Sequence, residues 1–336
     1  MTPSVVFRAD AAPAMGGGHV QRCLALAEAL AEAGWCTAFA FRAGTRETVP
    51  ALAASPHRLL ALEGAEDDEA ALVASKIGAR CDLLVVDHYG RGAAFETAGR
   101  RFAARIMVME DRPGRRHDCD LLLDPTPGRK PAAYRDLVPA GCRLLLGTSY
   151  ALLRAQFAKA RAAALARSRR ASPTRIFVSM GMTDPSNLTA AVLRGIAASG
   201  TGIAVDVLIG SVAPNLAALR RLIGELKLDA RLHLDAENVA ELMGAADLAV
   251  GAAGSSSFEP AASACPAWWW SPPTISAISR PAWARRQKCS GSPIWPAPWR
   301  PASSGYAPIP RPVLRWVRRV RGCVTAAAPP GSPASC

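Results

Sequence analysis

The 336-residue chain reads as an α/β protein built from two doubly wound, Rossmann-like domains that face a cleft, the second of them incomplete. Three observations predict this. Short, continuous apolar runs recur along the chain, and most end at a polar residue or a glycine. Stretches of helical periodicity alternate with them. The same alternation starts afresh near residue 173, after a segment rich in Ala and Arg. Strands that are apolar without alternation belong to parallel sheets covered on both faces.

The elements follow in order. Residues 5–7 form the first strand, and the glycine loop 16–18 leads into a helix over 20–33. Residues 36–41 form the next strand. Runs at 83–86, 106–109, 121–123 and 144–146 are buried strands, ending at Asp87, Glu110-Asp111, Asp124 and Gly147. The first domain thus spans 1–155, and 156–172 connect it to the second, with 155–171 reading as a helix or a connector. There the predicted order is strand 175–179, helix 188–198, strand 203–209, helix 215–226, strand 231–234, helix 238–245 and strand 248–250. The second domain is expected to stop at 259.

Charge divides the chain at that point. The whole carries 40 Lys and Arg against 27 Asp and Glu. The last acidic residue is Glu259, so residues 1–259 carry a net charge of only +3. The tail 260–336 has ten basic residues, no acidic one, 15 of the 27 prolines and seven of the eight tryptophans. A near-neutral body with no zinc or helix-turn-helix pattern argues against a nucleic-acid module. No run approaches the length of a membrane span, and the N-terminus has no secretion-signal pattern. The nine cysteines form no C-x-x-C pair, which fits a reducing, cytoplasmic setting. No metal-ligand spacing is present, and no cofactor or metal is expected.

Ligands of doubly wound sheets bind beyond the C-terminal strand ends, where the candidate residues gather. Gly18 and His19 open the first helix after the glycine loop, and a near-neutral imidazole there can take a proton from water. Asp87 and Tyr89 end the strand at 83–86, with Asp87 able to orient His19 or bind a sugar hydroxyl. A structural reading, with His19 and Asp87 as caps and Tyr89 as packing, competes with this. Asp111-Arg112 is a weaker candidate of the same kind. In the second domain, Gly181, Asp184 and Asn187 lie between a strand and a helix N-terminus, a setting that suits a diphosphate. Ser255, Ser256 and Glu259 repeat the arrangement, and Glu259 can accept both ribose hydroxyls.

Taken in order, six pieces resemble one family. They are Arg8-Ala9-Asp10, the segment from Gly18-His19 to Leu24, Asp87-His88-Tyr89, the segment from Gly147 to Phe157, Ser179-Met180-Gly181-x-Thr183-Asp184-x-x-Asn187, and Gly254-Ser255-Ser256-Ser257-x-Glu259. Together they resemble the UDP-2,4-diacetamido-2,4,6-trideoxy-β-L-altropyranose hydrolases of pseudaminic acid biosynthesis. The resemblance covers residues 4–259. It implies the GT-B architecture and transfer of the sugar to water, with release of UDP and 2,4-diacetamido-2,4,6-trideoxy-L-altrose through C–O cleavage. It implies that His19 is the base, that Asp87 and Tyr89 stand beside it, and that Ser255, Ser256 and Glu259 belong to the UDP pocket. Met182 departs from the family, where a second glycine is usual.

The family pattern stops at Glu259. Tryptophan has the single codon TGG, so Trp268-Trp269-Trp270 followed by Ser271 reads Val-Val-Val one frame over. With G or C at most free third positions, the same shift turns 260–267 into a sequence containing Leu-Gly-Leu-Pro, and 271–279 into one containing Asp-Asn-Gln. Both are family features at the expected place. The tail 260–336 therefore reads as out of frame and poorly ordered, and this chain is expected to have little activity. A UDP-sugar substrate, a monomeric state and no nucleic-acid or membrane partner complete the reading. The alternatives are a UDP-sugar-dependent GT-B glycosyltransferase, an enzyme acting on CMP or another nucleotide sugar, and a binding relic that holds UDP without releasing sugar.

Overall fold

The computed structural model describes residues 2–65, 68–167, 174–198, 202–252, 259, 265 and 267–270. The first sheet has seven parallel strands in the order β3-β2-β1-β4-β5-β6-β7. They are β1 (Ser4–Ala9), β2 (Cys36–Phe41), β3 (Arg58–Ala61), β4 (Cys81–Asp87), β5 (Ala103–Met109), β6 (Leu121–Asp124) and β7 (Arg143–Leu146). Helix α1 (Gly18–Glu32) follows β1, and the short α2 (Thr45–Thr48) and α3 (Pro50–Ala53) follow β2. Helix α4 (Glu69–Ile77) precedes β4 and α5 (Ala93–Gly99) follows it. The sequence reading missed β3 and α4. β3 is a four-residue edge strand with only Leu60 fully buried, too short to show a period.

Pleating sorts the core into two layers. Val5, Phe7 and Ala9 of β1 pack with Leu83 and Val85 of β4 against α1. Val6 packs with Leu84 and Val86 on the opposite face, with Val73 of α4. Phe7 is fully buried and stacks on Phe39 at 4.9 Å. By the same alternation, Asp87 shares the α1 face with Leu83 and Val85, and Arg8 shares the α4 face with Val6.

The connector predicted at 156–172 is mostly helix, α6 (Ala155–Ala166). The second sheet has the order β10-β9-β8-β11-β12, all parallel. Its strands are β8 (Arg175–Ser179), β9 (Ala204–Ile209), β10 (Ala230–Leu234), β11 (Leu248–Ala252) and β12 (Ala267–Trp270). Helices α7 (Leu188–Ala198), α8 (Leu216–Leu226) and α9 (Val239–Ala245) connect them. Ile176, Val178, Val205 and Val207 form the core with Leu193 of α7 and Leu219 of α8.

The second sheet runs past the boundary expected at residue 259. β12 pairs with β11 in the register Ala249↔Ala267 to Ala252↔Trp270, and Cys265 is buried. The physical reason is composition. Aromatic residues favour strands about as β-branched ones do, so either reading frame places a strand-forming run at 268–270. The expectations for 271–336 lie outside the described residues.

Candidate functional site

In the first sheet, β1 lies between β2 and β4, and the chain leaves it in opposite directions on the two sides. Such a switch point opens a crevice at the C-terminal strand ends. Helix α1 starts there. Its first turn carries His19, and Arg22 and Cys23 follow at the three- and four-residue spacing that shares one helix face. That face lies over β4, where the pleat presents Asp87.

The result is a buried constellation. His19 Nδ1 is 2.6 Å from Asp87 Oδ1. Arg22 grips the same carboxylate with both arms, Nε to Oδ2 and Nη2 to Oδ1, each at 2.5 Å. Burial pushes the Asp87 carboxyl up, but Arg22 and His19 outweigh it and hold it well below the usual carboxylate range. Asp87 is therefore ionised and can only accept. In the neutral imidazole the His19 proton then belongs on Nδ1, facing Asp87, and the Nε2 lone pair is the acceptor. Arg22 Nη2, 3.3 Å from Nδ1, is itself a donor and makes a charge contact with the ring. Burial and Asp87 push the Cys23 thiol well above its ordinary value, so it stays protonated.

Tyr89 stands at the edge of the His19 ring, with centroids 4.6 Å apart and planes at 84°. Its hydroxyl donates to Asp111 Oδ1 at 2.8 Å. The Arg112 guanidinium lies over its ring at 4.3 Å. Arg115 donates to the backbone carbonyls of His88, Tyr89 and Arg91 and fastens that turn. Burial and Asp111 raise the Tyr89 phenol, which remains neutral. Asp111 also lies 3.4 Å from Arg22 Nη1 and so links Tyr89 to the His19 cluster.

A second ionic cluster supports the first from the α4 face. Glu69 accepts from Arg8 at 2.5 Å, from Arg42 at 2.9 Å and from Arg91 at 2.7 Å. Burial raises the Glu69 carboxyl, yet Arg91 and Arg8 bring it down to about 2. Arg8 also pairs with Asp10, which lies 3.4 Å from His88 Nε2. This cluster clamps the segments on either side of Asp87. Sequence reasoning missed it because Arg8 and Glu69 lie 61 residues apart, and the Arg8-Ala9-Asp10 piece gives no sign of a partner on a later helix.

The other predicted site residues sit as follows. Gly18 is the exposed first residue of α1, and Gly17 is the buried one. A Cβ on Gly17 would lie 2.8 Å from both Met182 Sδ and Val49 Cγ2. Met182 reaches across from the second domain and packs on the first domain's core, with Gln21 Nε2 3.5 Å from its sulfur. Gly181 is exposed, with φ +98°, a backbone conformation that favours glycine. Asp184 is buried and caps α7, accepting from Leu188 N at 2.9 Å and Thr189 N at 2.8 Å. Its carboxylate thus occupies amides that the sequence reading reserved for a diphosphate. Asn187, with φ +52°, donates its backbone N–H to the Asp184 carbonyl. Glu259 accepts from Arg154 at 3.0 Å, and burial raises its carboxyl. Ser255 and Ser256 lie outside the described residues. Among the described residues no group of three or more His, Cys, Asp or Glu is placed to hold a metal ion, and no helix is long and apolar enough to cross a membrane.

Comparison with solved structures places this architecture. The chain is similar to a crystal structure of Acinetobacter baumannii MurG at a TM-score of 0.50, with 14% identity and 82% of this chain and 81% of that one covered. The fold is of the GT-B type. Among curated sequences, the GT-B chain is 27% identical over 240 residues to the UDP-2,4-diacetamido-2,4,6-trideoxy-beta-L-altropyranose hydrolase of Campylobacter jejuni, covering 71% of this chain and 81% of the relative. It is 22% identical over 254 residues to the uncharacterized protein MJ1062 of Methanocaldococcus jannaschii, of which it spans about half, 52%. No family model matches.

Proposed function

We propose that the chain acts on a UDP-sugar and that its reactive centre is built to hydrolyse UDP-2,4-diacetamido-2,4,6-trideoxy-β-L-altropyranose. The observation that carries the proposal is the hydrogen-bonded line Arg22–Asp87–His19 at the switch point of the first sheet. The curated relative from C. jejuni supports the choice of substrate.

In this reading His19 Nε2 takes a proton from water as the water oxygen attacks the anomeric carbon. The C–O bond to the diphosphate breaks, and UDP departs with the bonding electron pair. The imidazolium formed is held by Asp87, whose charge Arg22 has already fixed, so little reorganisation accompanies the step. Asp87 keeps the imidazole in the required tautomer, as the aspartate of a Ser-His-Asp triad does. UDP is a good leaving group, so a positioned water and a well-placed base suffice. The proposed UDP pocket lies in the second domain at the exposed Gly181 turn and at Glu259, which Arg154 holds, and it excludes the α7 amides that Asp184 occupies.

Two measurements test this. UDP release is followed without any acceptor, and the sugar is analysed after reaction in ¹⁸O-water. Label in the sugar's anomeric hydroxyl and none in UDP is the expected result. His19→Gln should lower turnover at least about 100-fold. The GT-B likeness to MurG favours a second reading, transfer to an acceptor hydroxyl by the same base. UDP release that requires an added acceptor would establish that reading in place of hydrolysis. We further propose that the frame after Glu259 limits activity. A gene corrected by one or two bases, so that Leu-Gly-Leu-Pro and Asp-Asn-Gln reappear, should give much faster UDP release than the 336-residue chain. Equal rates would refute the frame argument.

A further inference from the structure

Building on the hydrolytic reading, we infer that Asp111 is a positioning residue that sets the polarity of the Tyr89 hydroxyl and thereby orients the attacking water. A phenol has one proton and two lone pairs. Asp111 Oδ1, 2.8 Å away, takes that proton. The Tyr89 oxygen can then only accept from a third group. As the neutral base of the hydrolytic reading, His19 is in the same position, because Asp87 faces its Nδ1 and its Nε2 can then only accept. The two rings meet edge to face at 4.6 Å, so the two acceptors belong to side chains in direct contact. A water molecule has two protons to donate. With one directed to Nε2 and the other to the Tyr89 oxygen, its lone pair is left for the anomeric carbon. Without Asp111, the Tyr89 hydroxyl could donate to that water and compete for its lone pair.

The surroundings are arranged to hold this polarity. Arg112 over the Tyr89 ring and Arg115 on the backbone of the same turn fix the ring in place. Arg22 approaches Asp111 at 3.4 Å and holds its carboxylate beside the Tyr89 hydroxyl. His19, Arg22, Asp111, Arg112 and Arg115 are thus the titratable or charged groups that face the phenol. Asp111 is only partly buried, with a side-chain exposure of 30%, so its replacement is less disruptive than that of Asp87.

The test has two arms. In the first, the full chain is labelled with [¹³Cζ]tyrosine, and the Tyr89 resonance is assigned with Tyr89→Phe. Tyr89 should ionise at least about one pH unit lower in Asp111→Leu than in the wild type, because its acceptor and a neighbouring negative charge are both gone. No displacement would overturn the inference whatever the enzyme's activity. In the second arm, UDP release is measured for the full chain and for the frame-corrected chain. Asp111→Leu should lower kcat at least about tenfold with KM little changed, to the level of Tyr89→Phe. The double variant should be no slower than Tyr89→Phe alone, and Asp111→Asn, whose amide oxygen still accepts, should recover part of the loss. An Asp111→Leu enzyme within threefold of wild type, or additive losses in the double variant, would overturn the inference. If neither wild-type chain releases UDP, the hydrolytic reading fails, and the tyrosine titration still decides whether Asp111 controls Tyr89.

Discussion

His117 ties the stability of the first domain to pH in a way that can be calculated. It is 4% exposed and lies between two buried carboxylates, with Nδ1 2.7 Å from Glu96 and Nε2 3.4 Å from Glu110. Burial pushes the imidazole down, but Glu110 and Glu96 outweigh it and raise it from 6.5 to about 9. At about 1.4 kcal/mol per pH unit, that rise corresponds to about 3 kcal/mol. Because the folded value is the higher one, the contribution is complete below pH 6.5. It declines as the pH rises and is lost by about pH 9. The perturbation is His117→Gln, which cannot carry the charge at any pH. Urea unfolding of both proteins, followed by far-UV circular dichroism, should show the variant about 3 kcal/mol less stable at pH 6. The gap should close toward zero by pH 10. Cysteine, tyrosine and lysine titrations are common to both proteins and cancel in the comparison. A gap that stays constant from pH 6 to pH 10 would show that His117 is not charged in the folded state, and the argument from Glu96 and Glu110 would fall.

Asp87→Asn should destabilise the first domain by about 3–5 kcal/mol in the same urea assay, because the buried Arg22 guanidinium keeps only its longer contact to Asp111; a loss below about 1 kcal/mol would mean that Asp111 suffices as its counter-charge. Gly17→Ala should cost about 1–3 kcal/mol, since the new methyl group meets Met182 and Val49 at 2.8 Å. Adding Met182→Ala should return only part of that loss, because Val49 stays in place, and complete recovery would contradict the Val49 contact.

The apolar strands were legible because a buried parallel strand has no polar face to disguise it. The runs at 83–86 and 121–123 became β4 and β6 with polar residues at their C-terminal ends, as read. His19 and Asp87 were legible for a related reason: each sits where its element meets the crevice. The environment of these residues was not legible. Arg22 belongs to the family piece at 18–24 but carries no role there, and only the pleat of β4 turns Asp87 toward it. Asp111 read as a weaker copy of Asp87, and its value comes from Tyr89, which is 22 residues away. Asp184 illustrates the opposite error. Its position at a helix start suggested an anion site, but the side chain fills that role itself.

The placement of these groups also bears on the proposed change of frame after Glu259. Every residue of the His19 constellation comes from β1, α1, β4 or the turns after β4 and β5, all before residue 116. Each is held by partners within the same domain, including the Arg8–Glu69 cluster behind it. A change of reading frame after Glu259 therefore leaves the proposed base and its charges intact. What it alters is the segment after Glu259, on the side of β11 where β12 pairs. In the proposed mechanism that segment serves nucleotide binding and not proton transfer. Frame correction should then act mainly on KM for the UDP-sugar, whereas His19 and Asp111 substitutions act mainly on kcat. A frame-corrected chain whose gain lies wholly in kcat, with KM unchanged, would show that the second domain contributes to the chemical step and would break the division of labour argued from these contacts.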